Sequence, residues 1–309
     1  MPAPALADAR AAEILRRLEL TVNRRLDGLL QGDYRGLVPG HGSESGETRP
    51  YVAGDDVRRI DWNVSARSID THVRESIADR ELETWVLVDR SPSLEFGTAA
   101  MTKAELAVSA VGAIGFLTAR TGNRLGAVVV DPRGFHVVPA KPGRDHLLAL
   151  LHGLVVAPAV RSTTAQATAE PDTTHLGAAL GRLLVPPRRR GLVVVVSDFL
   201  SGDAWDPPLR ALAGRHDMVA VEIVDPRELE LPPVGMLTVV DPETGRTREV
   251  PTNRRTRERY ARAAAEQRAD IAARLRRCGA GHLQLRTDRD WVLDIVRYVA
   301  ARKRTGVVR

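Results

Sequence analysis

Short apolar runs alternate with longer helical patterns along the chain from about residue 81 onward. The runs at 84–89 and 191–196 are rich in valine and leucine, which is the pattern of strands buried on both faces of a parallel sheet. Segment 103–120 is apolar nearly all round and predicts a helix buried beside that sheet. The alternation predicts an α/β fold, with a doubly wound, mostly parallel sheet between two layers of helices.

The same periodicities predict the remaining elements. Helices are expected at 144–156, from Thr173 or Thr174 to about 185, and at 205–214, 254–277 and 291–301, and strands at 125–130, 135–139, 218–224 and 283–286. Apolar residues at 15–30 recur at helical spacing, so an amphipathic helix should pack against its own domain. We expect an N-terminal helix and irregular extension in 1–80, the α/β domain in 81–303, two short strands inserted at about 227–252, and a tail at 304–309.

Oxygen-bearing side chains collect where predicted strands end or helices begin. The predicted ligands are Asp89, Ser91 and Ser93 after one strand, Asp198 after another, and Thr174, or its neighbour Thr173, at a helix start. Loops at the carboxyl edge of an open sheet converge, and carboxylate and hydroxyl oxygens suit a hard cation. The sequence therefore predicts a Mg²⁺ or Mn²⁺ site at this edge. The open alternative is that the aspartates only bond loop N–H groups and the threonine only caps its helix.

A second dense stretch, between Arg49 and Trp62, holds three aspartates, three arginines and two aromatic residues. Alternating acidic and basic side chains can form charge-assisted pairs. We expect such pairs to anchor an irregular segment, with Tyr51 and Trp62 packed beneath it as apolar anchors. Asp55 and Asp56 also match the paired aspartates of polymerases over three residues, but the structural interpretation is stronger.

Composition and charge indicate the cellular compartment of the protein. The 309 residues include 45 basic and 39 acidic side chains, a net charge of +6, which permits an anionic partner without requiring one. Cys278 is the only cysteine, so neither an intramolecular disulfide nor a cysteine-based zinc site can form. The first fifteen residues lack the order of a signal peptide, and the most apolar run, 107–119, is shorter than the ~20 residues that span a bilayer. We expect a cytoplasmic protein without a membrane span.

Two further functions stay open as alternatives. A metal-dependent hydrolase of the phosphoesterase kind could use Asp55, Asp56 and Asp61, or the cluster at Asp89. Against it, the eight histidines are scattered and form no metal-binding pair. Nucleic-acid binding could use the helix at 254–277, which has nine arginines and three acidic residues. Such a helix is usually a solvated face, so nucleic-acid binding is not favoured.

The predicted ligands resemble a known cation site. Asp89-x-Ser91-x-Ser93, a later helix-capping threonine and a valine-rich strand that ends in Ser-Asp together resemble the metal-ion-dependent adhesion site of von Willebrand factor A-type domains. The resemblance implies that Ser91, Ser93 and Thr174 bind Mg²⁺ directly and that Asp89 and Asp198 act largely through water. It also implies that a carboxylate of a partner fills the open position.

A wider resemblance covers roughly residues 40–302. Its most specific part is a block that contains Tyr51, Gly54, Asp55, Asp56, Arg58, Asp61, Trp62 and Arg67. With the later stretches 197–199 and 225–228, this block is similar to the bacterial domain-of-unknown-function family 58. The resemblance implies a von Willebrand factor A-like domain and a partnership with a MoxR-type AAA+ ATPase, and it assigns the block no role. We therefore expect a non-enzymatic, cation-dependent interaction module that engages such an ATPase, or an acidic residue of a client protein, during assembly or remodelling.

Overall fold

The computed structural model describes residues 4–30, 48–52, 57, 60–68, 70–74, 83–120, 122–132, 134–156, 175–184, 190–202, 204–242 and 245–306. Its helices are α1 (Pro4–Leu30), α2 (Trp62–Ser65), α3 (Lys103–Arg120), α4 (Arg144–Val156), α5 (His175–Leu183), α6 (Asp206–Ala213), α7 (Arg254–Arg277) and α8 (Trp291–Gly306). Its strands are β1 (Thr48–Pro50), β2 (His72–Arg74), β3 (Glu83–Asp89), β4 (Arg124–Asp131), β5 (Gly134–Lys141), β6 (Leu192–Ser197), β7 (Asp217–Val224), β8 (Met236–Val240), β9 (Thr247–Pro251) and β10 (Gly281–Arg286).

Six strands form the central sheet, in the order β10-β7-β6-β3-β4-β5. Every neighbouring pair is parallel except β4 and β5, which are antiparallel. The chain passes from β3 to β4 on one side and later returns to β6 on the other, so the direction of winding reverses between β3 and β6. In open α/β folds, ligands bind beyond the carboxyl ends of the strands at such a reversal. The predicted open, mostly parallel α/β sheet is confirmed.

Helices cover both faces of the sheet, and each face has its own apolar core. One core contains residues of α1, α3, α4 and α8, and the other contains residues of α5, α6 and α7. Side chains of β3 alternate between them, with Val86 and Val88 in the first core and Trp85 and Leu87 in the second. Because β3 and β6 are buried on both faces, each contains an unbroken apolar run, at 85–88 in β3 and at 192–196 in β6.

Helix α1 packs against the body of the molecule, as its amphipathic pattern predicts. Leu18 and Val22 are buried in the core shared with α3, α4 and α8. Leu18 lies so close to Gly112 of α3 that a Cβ at this glycine would be 2.7 Å from the leucine Cδ2 atom. Glu19 accepts two hydrogen bonds from the Arg144 guanidinium, at 2.6 and 2.7 Å, and ties α1 to α4.

The boundaries that differ from the sequence prediction lie at element ends. β5 is longer than the predicted strand at 135–139 and contains Pro139. An edge strand tolerates proline because only one of its sides is paired. Helix α8 continues to Gly306, past the predicted end at Ala301, and so takes in part of the predicted tail.

Two small antiparallel pairs lie outside the central sheet. One joins β1 to β2, and the other joins β8 to β9 in the hairpin predicted as an insertion at 227–252. Within the described part of the chain, no helix has both the length and the apolar character needed to cross a membrane.

Candidate functional site

Asp89 is the last residue of β3 and lies at the reversal of the sheet. It is 3% exposed; one carboxyl oxygen accepts a 2.8 Å hydrogen bond from Ser91 N–H, and the other accepts a 2.6 Å bond from the Ser197 hydroxyl. Two effects raise the pKa of Asp89 from 3.8 to about 6: burial, which is the larger, and repulsion from Asp198. The hydrogen bonds satisfy both oxygens but do not supply the positive charge that the carboxylate lacks.

Ser91 and Ser93 follow directly in the chain. Ser91 has an extended backbone (φ −61°, ψ 156°) and precedes a 3-10 turn over Pro92–Glu95. The two hydroxyl oxygens lie 3.0 Å apart, and both residues are half-buried. A hydroxyl has two acceptor lone pairs, so a pair at a partly accessible edge can turn them toward a hard cation.

Asp198 follows β6 and is also buried. One of its oxygens accepts a 3.1 Å bond from Leu200 N–H, and the other accepts a 2.8 Å bond from the Lys103 ammonium. Burial alone would raise the pKa of Asp198, but the charge and hydrogen bond of Lys103, with help from Leu200 and Ser93, hold the pKa below its usual value. Asp198 is therefore an ion-paired carboxylate, unlike Asp89.

Lys103 is the main feature of the site that the sequence analysis missed. It is the first residue of α3, it is fully buried, and its ammonium donates to Asp198 at 2.8 Å and to Glu228 at 2.5 Å. Burial opposes the charged form, but the two carboxylates outweigh it and raise the pKa of Lys103. Lysine is almost never fully buried, so the residue type gives no signal of this role.

Arg268 of α7 extends the ion pairs into the second core. Its guanidinium donates to Glu228 at 2.9 Å, to Glu222 at 3.0 Å and to the carbonyl of Asp198 at 3.1 Å. The buried Glu222 is also bonded to a histidine and a glutamine of β10, at 2.8 and 3.0 Å. The sequence prediction of a solvated arginine face on α7 is therefore wrong for Arg268, because buried carboxylates draw it inward.

Asp225 holds Glu228 in place. It accepts bonds of 2.8 and 2.6 Å from the backbone and hydroxyl of Thr98, and a 2.8 Å bond from the Thr287 hydroxyl. Burial opposes ionisation, but these bonds and that of Arg227 keep the pKa of Asp225 below its usual value. Asp225 and Glu228 also form a capping box around the 3-10 turn at Pro226–Glu228.

Backbone strain adjoins the site at Phe199. This residue follows Asp198 and has a φ of +56°, in the left-handed region that non-glycine residues seldom adopt. Its N–H donates to the Ser197 hydroxyl at 3.0 Å, and its ring packs edge-on against Trp205 with the centroids 5.3 Å apart. Strained backbone of this kind persists only where the surroundings hold it, and it clusters at binding sites.

The structure brings four predicted ligands to one place at the sheet reversal: Asp89, Ser91, Ser93 and Asp198. Thr173 and Thr174 lie outside the described residues, just before α5 begins at His175. Among the described residues, no group of three or more His, Cys, Asp or Glu side chains is arranged to hold a metal. A cation at this site would therefore depend on the serine hydroxyls as well as on a carboxylate.

The second dense stretch is described only in part. Gly54, Asp55, Asp56 and Arg58 lie outside the described residues, so the expected acidic–basic pairs stay a prediction. Asp61 is buried and caps α2, where it accepts a 3.1 Å bond from Asn63 N–H. Tyr51 is half-buried and Arg67 is exposed.

Trp62 does not anchor that stretch. It is 71% exposed, so the prediction that it packs beneath an irregular segment is wrong. The cause is local. Trp62 is the first residue of α2, which has only four residues, and none of them is buried, so this helix has no apolar face that packs against the rest of the fold.

By its fold and its site, the protein belongs to the class of open α/β proteins, with carboxyl and hydroxyl groups where the direction of winding of its sheet reverses. The model of the family described as Protein of unknown function DUF58 matches residues 47–270, and the chain belongs to that family. This confirms the family resemblance found in the sequence. The matched range includes the whole block from Tyr51 to Arg67, the four grouped ligands and most of α7.

Several mycobacterial proteins are similar to the chain over nearly its whole length. Uncharacterized protein Rv1480 of Mycobacterium tuberculosis (strain ATCC 25618 / H37Rv) is 50% identical over 297 residues, which covers 96% of this chain and 91% of that protein. Uncharacterized protein Mb1516 of Mycobacterium bovis has the same identity and coverage. Among solved structures, the conserved hypothetical protein BatB from Bacteroides thetaiotaomicron has a TM-score of 0.41 at 14% identity, covering 72% of this chain and 99% of that one.

Proposed function

We propose that the chain is a non-enzymatic protein-interaction module in which a divalent cation, Mg²⁺ or Mn²⁺, is held at Ser91 and Ser93 and receives a carboxylate from a partner protein. The observation that carries this proposal is the pair of hydroxyls 3.0 Å apart, of which Ser91 bonds Asp89 and Ser93 bonds Asp198. Burial and repulsion from Asp198 raise the pKa of Asp89 to about 6. The donor set consists of oxygens, which fits a hard cation. In the von Willebrand factor A-like arrangement, Thr174 completes the ligands.

Charge counting favours an acidic partner. Lys103 pairs with Asp198 and Glu228, whereas no ion-pair partner of Asp89 occurs among the residues that the structure describes. A divalent cation there leaves one positive charge over. Mg²⁺ usually keeps several coordination positions for water or an outside ligand. A glutamate or aspartate of a partner supplies both the missing negative charge and an oxygen ligand.

The geometry favours binding over catalysis. Asp89 has the raised pKa that general bases often show, but it is 3% exposed and both of its oxygens accept internal hydrogen bonds. Lys103 is held as an ammonium by two carboxylates and therefore has no lone pair for proton abstraction or attack. Neither group is free to meet a substrate.

We propose a MoxR-type AAA+ ATPase, or an acidic-residue-bearing client of such an ATPase, as the partner. The support is the sequence resemblance that includes the block from Tyr51 to Arg67 and the stretches at 197–199 and 225–228. In this role the chain acts as an adaptor in the assembly or remodelling of client proteins, and the cation site provides its switchable contact.

Thermal unfolding with and without Mg²⁺ tests the cation site. Binding to the folded chain raises its stability by about 2.7 kcal/mol when free Mg²⁺ is 100 times Kd, so the melting temperature should rise. Ser91→Ala and Ser93→Ala should each reduce the rise, and the double variant should abolish it. Ser109→Ala is the matched control, because this hydroxyl bonds the Glu105 carbonyl within α3 and should leave the rise intact. An unchanged rise in the double variant would remove the site.

Co-purification tests the partner. The tagged chain should retain the MoxR-type ATPase of its host in Mg²⁺ and release it when the metal is chelated. The Ser91→Ala, Ser93→Ala double variant should retain none, whereas Ser109→Ala should behave like the wild type. Retention that is equally strong after chelation would show that the ATPase binds elsewhere.

A further inference from the structure

A continuous chain of hydrogen bonds joins the two serine hydroxyls of the candidate site to Lys103. The Ser91 hydroxyl bonds the Asp89 carboxylate and lies 3.0 Å from the Ser93 hydroxyl. The Ser93 hydroxyl in turn bonds the Asp198 carboxylate, which accepts a 2.8 Å bond from the Lys103 ammonium. One carboxyl group therefore separates Lys103 from the hydroxyls that we propose as cation ligands.

The position of Lys103 is fixed at both its backbone and its ammonium group. Its N–H donates to the Phe96 carbonyl at 2.9 Å, and its side chain is fully buried. The ammonium bonds Asp198 at 2.8 Å and Glu228 at 2.5 Å. A buried ammonium that is held by two carboxylates stays charged, so its positive charge is a fixed part of the site.

Glu228 has a second cation, whereas the carboxylate of Asp198 depends on Lys103. The Arg268 guanidinium donates to Glu228 at 2.9 Å and to Glu222 at 3.0 Å. It reaches Asp198 only at the backbone carbonyl, at 3.1 Å. In the described part of the chain, Lys103 is the one cationic group that bonds the Asp198 carboxylate. Loss of the lysine charge would therefore leave a full negative charge beside the hydroxyl pair.

The charge of Lys103 changes what the site offers to a cation. Without it, two carboxylates that lack a counter-charge, Asp89 and Asp198, would flank the hydroxyls, and the affinity of such sites rises with the number of charged groups. With it, Asp89 alone attracts the cation, and the ammonium also repels it. Burial strengthens both effects, because charges interact more strongly away from water.

We propose that Lys103 is the specificity-determining residue of this site, because it lowers the affinity for a divalent cation alone and makes firm binding depend on a carboxylate from a partner. This inference rests on the proposed function and adds its regulation. The partner's carboxylate supplies the negative charge that Lys103 cancels at Asp198. Occupancy of the site then follows the presence of the partner rather than the concentration of the metal.

A purely structural role for Lys103 predicts a different result. If the lysine only held the fold together, its removal and the loss of the Glu228 charge would both loosen the site and weaken cation binding. If it sets the charge of the site, the two changes act in opposite directions. Lys103→Met removes a positive charge near the cation, whereas Glu228→Gln removes a negative one and leaves Lys103 in place.

Titration of the full chain with Mn²⁺, followed by the electron paramagnetic resonance of the unbound ion, tests the proposal. Lys103→Met should bind Mn²⁺ about tenfold more tightly than the wild type, and Glu228→Gln about threefold less tightly. Arg254→Met is the matched control, because its exposed ion pair with Glu258 lies on α7 outside the site, and it should leave the affinity unchanged. Circular dichroism checks that each variant is folded.

Two further measurements assign the effect to this site and to the partner's carboxylate. Adding Ser91→Ala and Ser93→Ala to Lys103→Met should abolish the gain in affinity. Acetate, as a carboxylate probe, should raise the Mn²⁺ affinity of the wild type more than that of Lys103→Met, with sodium chloride at the same ionic strength as the control.

The outcomes separate this inference from the cation site itself. Mn²⁺ binding by the wild type that is equal or weaker in Lys103→Met, or a gain that survives the loss of both serines, would overturn the role of Lys103. If Lys103→Met does not fold, Glu228→Gln decides alone, and an unchanged affinity in it would overturn the role. If neither the wild type nor any variant binds Mn²⁺, with or without acetate, the cation site and this inference are both wrong.

Discussion

The two aspartates at the reversal of the sheet differ because, in the part of the chain that the structure describes, Asp198 has a cationic partner and Asp89 has none. Lys103 reaches Asp198 at 2.8 Å, so the pKa of Asp198 is low, whereas Asp89 has only neutral hydrogen-bond donors and its pKa is about 6. The serine hydroxyls lie between the two carboxyl groups, because Ser91 bonds Asp89 and Ser93 bonds Asp198. This difference between two interacting carboxyl groups is the residue-scale basis of the cation proposal.

Asp89→Asn should remove a pH dependence of stability. A carboxyl group whose pKa is higher in the folded state binds its proton more tightly there. Its contribution to the stability of the folded state is therefore complete below pH 3.8 and is lost as the pH rises through about 6. The rise of the Asp89 pKa from 3.8 to about 6 corresponds to about 3 kcal/mol of folding free energy. In urea unfolding, the stability of Asp89→Asn relative to the wild type should increase by up to that amount between roughly pH 4 and pH 7. A stability difference that is constant with pH would contradict the assignment.

Lys103→Met should destabilise the chain by about 3–5 kcal/mol, because it leaves the buried Asp198 without its cation, whereas Glu228 keeps Arg268. Urea unfolding at neutral pH measures the loss. Arg254→Met is the control, since its ion pair with Glu258 joins side chains that are 86% and 57% exposed and should change stability by less than about 0.5 kcal/mol. Equal effects of the two variants would show that Lys103 is not a buried ion-pair partner.

Two tryptophans provide a direct comparison of exposed and buried positions. Trp205 is fully buried, so Trp205→Ala should cost about 3–5 kcal/mol. Trp62→Ala should change the free energy of unfolding by less than about 0.5 kcal/mol, because the indole is exposed on α2. Denaturant unfolding of both variants measures the two changes in the free energy of unfolding. A large loss of stability in Trp62→Ala would show that Trp62 packs as an apolar anchor after all.

At the scale of elements, helix α5 is positioned by close contact with the loop after β6. A Cβ at Gly177 would lie 2.5 Å from the Ala204 carbonyl oxygen, whereas a Cβ at Gly181 would meet nothing within 4 Å. Gly177→Ala should therefore destabilise by about 1–3 kcal/mol, and Gly181→Ala should stabilise by about 0.5–1 kcal/mol. Opposite shifts in melting temperature are expected, and a loss at both positions would contradict the packing of α5.

Elements were easier to predict than the partners of their side chains. The valine-rich runs of β3 and β6 and the periodicity of α7 define these elements locally, and the residues that follow the two strands could be grouped because parallel strands share a carboxyl edge. The burial of Lys103 and Arg268 depends on Glu222 and Glu228, which lie far away in the sequence. No local pattern reports such pairs, so the ionic half of the site was missed.

At the scale of the whole molecule, cation binding should not depend on the exposed hairpin of β8 and β9. Thr238→Pro should keep the Mg²⁺-dependent rise in melting temperature, because β8 shares no residue with the cation site. Thermal unfolding of this variant with and without Mg²⁺ measures the rise, and its loss would show that the hairpin supports the cation site.

Anomalous X-ray diffraction from crystals grown with Mn²⁺ locates a bound cation directly. We predict a peak within coordination distance of the Ser91 and Ser93 hydroxyl oxygens, on the side of Asp89, in place of the 3.0 Å bond that these hydroxyls form with each other. A saturated crystal with no peak there, with that bond intact, or with its peak at Asp55 and Asp56 instead, would contradict the cation site.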